Sequence, residues 1–293
     1  MPSSAALDSS EPTEGKDGAS HFFANKLGRI ALLALEEVAG REGLRVILSS
    51  ARMHDRLDDY PHNNFAPEFP FEELSAILRA MEELHGPRTG RRLARRMGRA
   101  CFRIGAADMR PVLGAADLLF RILPLQMRFR IGFEVLAHVL TRFSDQVVEL
   151  DEPSAAEHEG MLDDVLERPG ITREVVLQQD PENLVRDPDH VLALHAVAAR
   201  HDVLDEQRFL VVELDEDERN FIWITHRCGV CWGRTTEGPC CDLTVGLLEE
   251  ALYWLGGGAD FFIEESACIA AGDPTCIIRI GKHPLMVETA TGD

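Results

Sequence analysis

Six of the seven cysteines in this chain fall between Cys228 and Cys276. They come in three groups: Cys228-Gly-Val-Cys231-Trp-Gly-Arg, Pro239-Cys240-Cys241-Asp, and Glu265-Ser-Ala-Cys268-Ile-Ala-Ala-Gly-Asp-Pro-Thr-Cys276. Thiols crowded in this way beside a carboxylate, in an acidic chain, suggest a metal site before a disulfide framework. The odd count also fits complete disulfide pairing poorly. Glu265 and Cys268 lie three apart at the end of a predicted strand, and Cys276 lies eight further on, beyond a Gly-Asp-Pro turn. A strand–turn–strand return brings Cys268 and Cys276 together, and Cys241, at the mouth of the preceding helix, completes a set of four. Three thiolates and one carboxylate suit tetrahedral zinc, which accepts sulfur and oxygen alike. The competing reading makes Cys268 and Cys276 small buried hydrophobes at strand edges. Spacing alone leaves both open.

Cys228 and Cys231 form a second candidate. With Cys240 and Cys241 they would make a separate zinc knuckle, although adjacent cysteines seldom both reach one metal in good geometry; otherwise they are structural cysteines or a supporting pair. A redox role needs CxxC at a helix N-terminus, where the dipole lowers the thiol pKa; here Trp223-Ile-Thr precedes and Trp232-Gly-Arg-Thr-Thr follows, which is loop chemistry. His226 beside this loop is either a ligand or proton donor, or a polar surface residue. His195 and His201 have no matching carboxylate spacing. No G-x-S-x-G, P-loop, G-x-G-x-x-G or H-E-x-x-H is present, so the common hydrolase, nucleotide and zincin signatures are missing.

The elements that must hold these residues change in period along the chain. Leu27, Ile30, Leu33, Ala34 and Val38 recur at helical spacing within 22–38, and Gly40 supplies a stop. Residues 44–48 (LRVIL) read as a short buried segment, and 55–70, with three prolines, as a loop. Pro70 opens a helix whose apolar face is Leu74, Ile77, Leu78, Met81 and Leu84, with Glu72 and Glu73 in its first turn and Gly86-Pro87 at its end. Helices are expected over 112–123 and 126–142, a short strand over 147–150, and a helix over about 188–200. RFLVVEL (208–214), a polar turn and FIWIT (221–225) make a hairpin pattern. Val245, Leu248, Ala251, Leu252 and Leu255 form a helix face stopped by Gly256-Gly257-Gly258, and 259–265 and 275–280 read as two more strands. Helices first and then an antiparallel sheet give an α+β protein, with N-terminal helices packed on the sheet.

Between Arg88 and Arg130 there are eleven arginines against only Asp108 and Asp117. On a helix, Arg92, Arg95, Arg96, Arg99 and Arg103 share one broad face. That strip either pairs with the chain's own carboxylates and solvent or docks an anionic partner, for which arginine's planar fork is suited.

Composition bounds the function. The formal charge is −20 over 293 residues, which argues against nucleic acid, since phosphate binding needs a dominant basic footprint. No run of about 18 apolar residues is free of charge. The first twenty residues lack a basic and an apolar region of the signal-peptide kind, read as a disordered tail, and make the cytoplasm the expected compartment, where thiols stay mostly reduced.

The motif Cys241-x4-Gly246, a helix, a glycine stop, then Phe261-x-Ile-Glu-Glu265-x-x-Cys268-Ile-Ala-Ala-Gly-Asp-Pro-x-Cys276-x-Ile-x-Ile resembles the 4-vinyl reductase domain family. Asn25-x-x-Gly28-Arg29, Ala34-Leu-Glu-Glu37-x-x-Gly40 and His85-Gly-Pro-Arg-Thr-Gly90 resemble the N-terminal part of its longer members. The resemblance divides the chain into a tail (1–20), a helical N-terminal part (21–150), a connecting segment (151–204), a domain core with the Cys-rich site (205–283) and a final tail (284–293). It implies an α+β ligand-binding fold shared with vesicle-tethering subunits and nitric-oxide sensor relatives. It further implies a zinc held by three cysteines and a glutamate, matching Cys241, Glu265, Cys268 and Cys276, in a closed structural site. Cys228, Cys231 and Cys240 are additional to those ligands and keep open a second metal, a register shift to Cys240, or a CxxC-containing site. No ATPase module or helix-turn-helix of a complete regulator is visible.

These readings converge on a zinc-stabilised protein, homodimeric, that binds or senses a small apolar or aromatic molecule. Phe129, Phe133, His138, Phe221, Trp223, Trp232 and Trp254 are candidate lining residues, each with a competing role in the core. The alternatives are a tetrapyrrole 4-vinyl reductase or its substrate-handling accessory, which would need a hydride source with no visible nucleotide fingerprint, and a structural scaffold subunit.

Overall fold

The computed structural model describes residues 21–108, 123–142 and 212–285. The expected helices over 112–123 and 188–200, the strand over 147–150, the connecting segment 151–204 and both tails lie outside the described residues, save residue 123 and the first two of the last tail.

The chain enters through a two-residue strand, β1 (Phe22–Phe23), paired with β2 (Phe69–Pro70). Helix α1 (Asn25–Ser50) therefore starts after Phe23, three residues later than its apolar period suggests. Its first amides are taken by the loop that carries β2: Asn25 N–H donates to Ala66 O and Lys26 N–H to Asn64 O, at 2.8 and 2.9 Å. Gly40, at φ 73° and ψ 168°, breaks α1 into two helical halves, a backbone conformation that glycine alone adopts without strain. The stop expected at Gly40 is thus a kink, and Leu44, Ile47 and Leu48 are the buried face of the second half. A 3-10 turn (His54–Leu57) leads to β2 and then to α2 (Phe71–His85), which Pro70 caps. Gly86, at φ 78°, ends α2, and Pro87 opens α3 (Pro87–Asp108) at once, with the missing proline N–H falling where a helix needs none. Leu74, Ile77, Leu78 and Met81 of α2 are buried and Leu84 is exposed.

Beyond α4 (Leu125–Arg142) come β3 (Val212–Glu216), β4 (Asn220–Thr225), α5 (Asp242–Leu255), β5 (Phe261–Ala267), a 3-10 turn (Ile269–Ala271) and β6 (Cys276–Pro284). The four long strands form one antiparallel sheet in the order β3-β4-β6-β5. The β3–β4 turn is tighter than the polar run 215–220 suggests. Asp217 accepts from the amides of Arg219 and Asn220 at 2.7 and 2.6 Å, so Asp215 and Glu216 remain in the ladder. The period-two alternation turns Phe221, Trp223, Thr225, Cys276, Ile278, Ile280, Phe261 and Ile263 to the buried face.

Two apolar cores result. One joins α1, α2 and α3 to the cysteines; the other joins Phe129, Phe133 and Ala137 of α4 to the sheet and to Val245, Leu248, Leu252 and Leu255 of α5. Helix α5 serves both, and α3 holds it at backbone distance. A Cβ built on Gly98 would stand 1.9 Å from Leu243 O, and one on Gly246 would stand 1.9 Å from Arg95 O. Only glycine at both positions allows this contact. The arginine strip splits accordingly. Arg95 and Arg99 both hydrogen-bond Glu249, and Arg103 reaches Glu37 at 2.6 Å and Glu250 at 3.4 Å. Arg92 and Arg96 are exposed, with no carboxylate partner among the described residues. Most of the strip thus clamps α3 onto α5 with the chain's own acids.

Candidate metal centre

Four pieces of chain converge on one buried point: the Cys228–Cys231 loop, the start of α5, the end of β5 and the start of β6. Cys241 is the N-cap residue of α5, fixed by the Gly98–Gly246 contact and the arginine clamp behind it. Its amide donates to Glu265 Oε2 at 2.7 Å, an acidic group placed where a helix N-terminus favours one. Glu265 comes from β5, opposite Ile278 on the inner face. On a regular strand, a residue three positions on would face the other side of the sheet. Here the register shifts between Glu265 and Ala267, which pair with the adjacent Ile278 and Ile277. Ser266 is therefore the extra residue of a β-bulge, and the bulge returns Cys268 to the face that carries Glu265 and Cys276.

The turn that follows is tied to the site by hydrogen bonds. Cys268 N–H donates to Asp273 Oδ2 at 2.8 Å, and Ile269 N–H points at Cys276 Sγ at 3.3 Å, the kind of donor that favours a thiolate. Gly272, at φ 100°, provides the left-handed corner before Asp273. The Cys228–Cys231 loop is clamped against α2, where Trp232 Nε1 donates to Glu72 at 2.8 Å and Arg234 Nη2 to Glu82 at 2.6 Å. Thr236 N–H closes the same loop on Ala270 O at 2.8 Å.

The result is a single cluster of six free, buried thiols. Sγ separations are 3.5 Å for Cys228–Cys241, 3.5 Å for Cys231–Cys276, 3.7 Å for Cys241–Cys276, 3.9 Å for Cys241–Cys268, 4.0 Å for Cys268–Cys276 and 3.8 Å for Cys240–Cys268. A disulfide requires about 2.05 Å, so none of these is one. A tetrahedron with Zn–S bonds of about 2.3 Å has an edge of about 3.8 Å, and the observed separations match it. Two four-donor sets satisfy a common limit of 4.8 Å between ligand atoms: Cys228, Cys231, Cys241 and Cys276, and Cys241, Glu265, Cys268 and Cys276. The second is the set implied by the family resemblance. The first joins the CxxC to two of the same thiols and leaves Cys240 outside both sets.

Electrostatics of the site favour a cation. Burial pushes the Glu265 carboxyl up to about 8, with the neighbouring Cys268 adding to the effect, and Glu265 Oε1 is buried with no hydrogen-bond partner. A buried carboxylate oxygen without a donor is costly unless a cation supplies the missing interaction. Among the thiols, Cys231 and the other sulfurs hold Cys228 and Cys268 low, while Cys228 leads in pushing Cys241 and Cys276 up. Arg234 stands beside them with a side chain only 4% exposed. Its charge is felt by Cys240 and Cys241, and its Nη1 has no partner. It is a fixed positive charge against a group of incipient thiolates. The sequence marks Arg234 only by its place three residues after Cys231.

The candidate lining residues separate into four places. Phe129, Phe133, Phe221 and Trp223 meet in the second core, with Phe129 against Phe261 at 4.8 Å and Phe133 against Phe221 at 5.7 Å between ring centroids. Trp223 is fully buried, yet its Nε1 has no hydrogen-bond partner. Trp232 instead packs on His21 and Phe71 beside the metal centre. Trp254 is 40% exposed and faces Phe102, and His138 is exposed on α4. Residue type selected these seven, and position separates them. His226 pairs with Glu213 at 3.0 Å on the surface and takes no part in the cluster. Two open polar concavities, of about 400 and 350 Å³, lie on the N-terminal helices, lined chiefly by Arg29, Glu36 and Tyr60 and by Arg52, Arg56 and Glu73. Neither reaches the aromatic core.

No family model matches the chain, and no curated protein matches it significantly. No helix among the described residues is long and apolar enough to cross a membrane.

Proposed function

We propose that this protein is a metal-structured ligand-binding protein of the 4-vinyl reductase domain type. A zinc ion would be held by Cys241, Glu265, Cys268 and Cys276, and a small apolar or aromatic molecule would be taken against the rings between α4 and the sheet. The observation that carries the metal half is the convergence of these four donors from a helix N-cap, a bulged strand and a returning strand, with Glu265 Oε1 left buried and unpartnered. All four donor positions come from the protein, so the ion's role is to fix the start of α5 against β5 and β6. The ligand half is supported by the Trp223 indole N–H, a buried donor among hydrocarbon, which suits a ligand that presents one acceptor to an otherwise apolar wall. A homodimer in the cytoplasm belongs to the same reading.

The test is elemental analysis and native mass spectrometry of the full chain purified in metal-free buffer, followed by titration with phenol and with protoporphyrin IX. Bound zinc together with saturable phenol binding supports the sensor-type reading. Protoporphyrin binding with a shifted absorbance band supports the tetrapyrrole alternative. A chain that binds neither molecule and holds no metal is a scaffold, and the proposal fails.

A further inference from the structure

The two four-donor sets have two members in common, Cys241 and Cys276, whose sulfurs are 3.7 Å apart. Two separate closed tetrahedral sites would need eight donors. The cluster offers seven, six thiols and Glu265, and Cys240, 3.8 Å from Cys268, belongs to neither four-donor set. If the two common thiolates bridge, the requirement falls to six donors. The two sets together contain six residues: Cys228 and Cys231 on one side, Glu265 and Cys268 on the other, Cys241 and Cys276 between.

We propose that the centre is binuclear: two divalent cations of the zinc class share the Cys241 and Cys276 thiolates, with Cys228 and Cys231 as terminal ligands of one ion and Glu265 and Cys268 of the other. This rests on the metal-centre reading above and extends it from one ion to two. Sulfur separations support it, because Cys228–Cys241 and Cys231–Cys276, at 3.5 Å each, run from the terminal pair of one set to the shared pair. The same shared pair stands 3.9 and 4.0 Å from Cys268. Every one of these lies near the tetrahedral edge of about 3.8 Å.

Charge points the same way. A single ion on Cys241, Glu265, Cys268 and Cys276 leaves Cys228 and Cys231 as buried thiols against its ligands. A single ion on the other set leaves the Glu265 carboxylate buried and unpaired. Two divalent ions against five thiolates and one carboxylate leave a net charge of two minus, which the buried Arg234 guanidinium partly offsets. Bridging also explains why the CxxC, a candidate for a separate knuckle, sits in contact with the other thiols. One ion on the CxxC side would bind the loop on α2 to the same two sulfurs that anchor α5 and β6.

The experiment is an anaerobic titration of the metal-free full chain with Co(II), read by thiolate-to-cobalt charge-transfer absorbance and by low-temperature EPR. Absorbance is expected to rise to an endpoint of two equivalents, with the EPR signal close to zero there because bridging thiolates couple the two spins. An EPR signal proportional to cobalt up to two equivalents would mean separate sites and would overturn the bridge. An endpoint at one equivalent would overturn the second ion while leaving the single-metal reading intact, and no cobalt binding would overturn both. Acid-labile sulfide in anaerobically purified protein would replace the proposal with an iron–sulfur cluster. Cys228→Ser is expected to bind one equivalent with an uncoupled signal, and Cys240→Ser to keep two coupled equivalents; loss of an equivalent in Cys240→Ser would overturn the donor assignment. The wild-type titration decides the question even if a variant fails to fold.

Discussion

The cysteine core and the aromatic core lie on opposite sides of α5, and both bury their main residues almost completely, but they leave different chemistry unsatisfied. Around Cys241 the unpartnered atoms belong to ionisable groups, Glu265 Oε1 and Arg234 Nη1. Around Phe129 the unpartnered atoms are Trp223 Nε1, a neutral donor inside the apolar cluster, and Nε of the half-buried Arg128. Ionising a carboxyl amid thiols with no donor or cation beside it costs far more than leaving an indole N–H unpaired, and burial accordingly pushes Glu265 up to about 8. The first core would therefore gain from a bound ion, and the second holds together by hydrocarbon packing and tolerates one idle donor. Burial alone does not distinguish the two; a carboxyl left without a donor among thiols does.

The most direct way to break the comparison is to treat the protein with a chelator. Structural zinc in small thiolate sites is worth about 10–16 kcal/mol in apparent binding energy. Chelation under reducing conditions should lower the melting temperature sharply and expose thiols to a colorimetric reagent. An unchanged melt after verified metal loss would place the cysteine core in the same class as the aromatic one.

A cut in the other core should leave the metal alone. Phe133 is fully buried and packs on Phe129 and Phe221. Phe133→Ala removes a ring and leaves a cavity, for an expected loss of about 3–5 kcal/mol in urea unfolding, with metal stoichiometry unchanged. Loss of metal in this variant would show that the two cores are one cooperative unit.

Glu249 sits on the helix that both cores share. Burial opposes its ionisation, but hydrogen bonds and charge from Arg95 and Arg99 overcome this and hold its carboxyl below the usual range. The folded value is depressed, so the stabilisation is complete above the ordinary carboxylate value of about 4.3 and is lost as pH falls through the folded value. Both arginines are more than a third exposed, so screening limits the clamp to about 1 kcal/mol. Glu249→Gln should show that deficit in urea unfolding at neutral pH, and the gap from wild type should close in strong acid. A gap independent of pH would mean that the carboxamide disturbs helix packing and that no charge is involved.

The limits of legibility follow the same physical lines. Helix faces such as Leu74, Ile77, Leu78 and Met81 were readable because period 3.6 repeats in a single stretch, and the Gly86-Pro87 boundary because those residues restrict the backbone locally. The α+β arrangement followed from the change of period. The meeting of Glu265 with Cys268 could not follow from strand period, since an offset of three opposes it and only the bulge at Ser266 permits it. Nor could the approach of α3 to α5 be read, because Gly98 and Gly246 act through backbone contact and carry no pattern of their own. The CxxC read as a rival site because its loop is anchored by Trp232 and Arg234 on α2, some 150 residues away in sequence. Aromatic type was visible in seven candidates, but only tertiary placement separates Trp223 in the core from Trp254 at the surface.

The smallest expected effect lies at Trp223 and sharpens the comparison most finely. Trp223→Phe removes the idle N–H, which recovers its desolvation cost, and shortens the ring, which loses packing. These oppose each other, so stability should change by about 1 kcal/mol or less. If the N–H is there to meet a ligand, the consequence should appear in binding: phenol affinity falls about tenfold, the equivalent of about 1.4 kcal/mol, while the melt barely moves. Isothermal titration with phenol beside urea unfolding separates the two quantities. A variant that loses stability but binds phenol as well as wild type would make Trp223 a packing residue and remove the aromatic core's claim to a ligand.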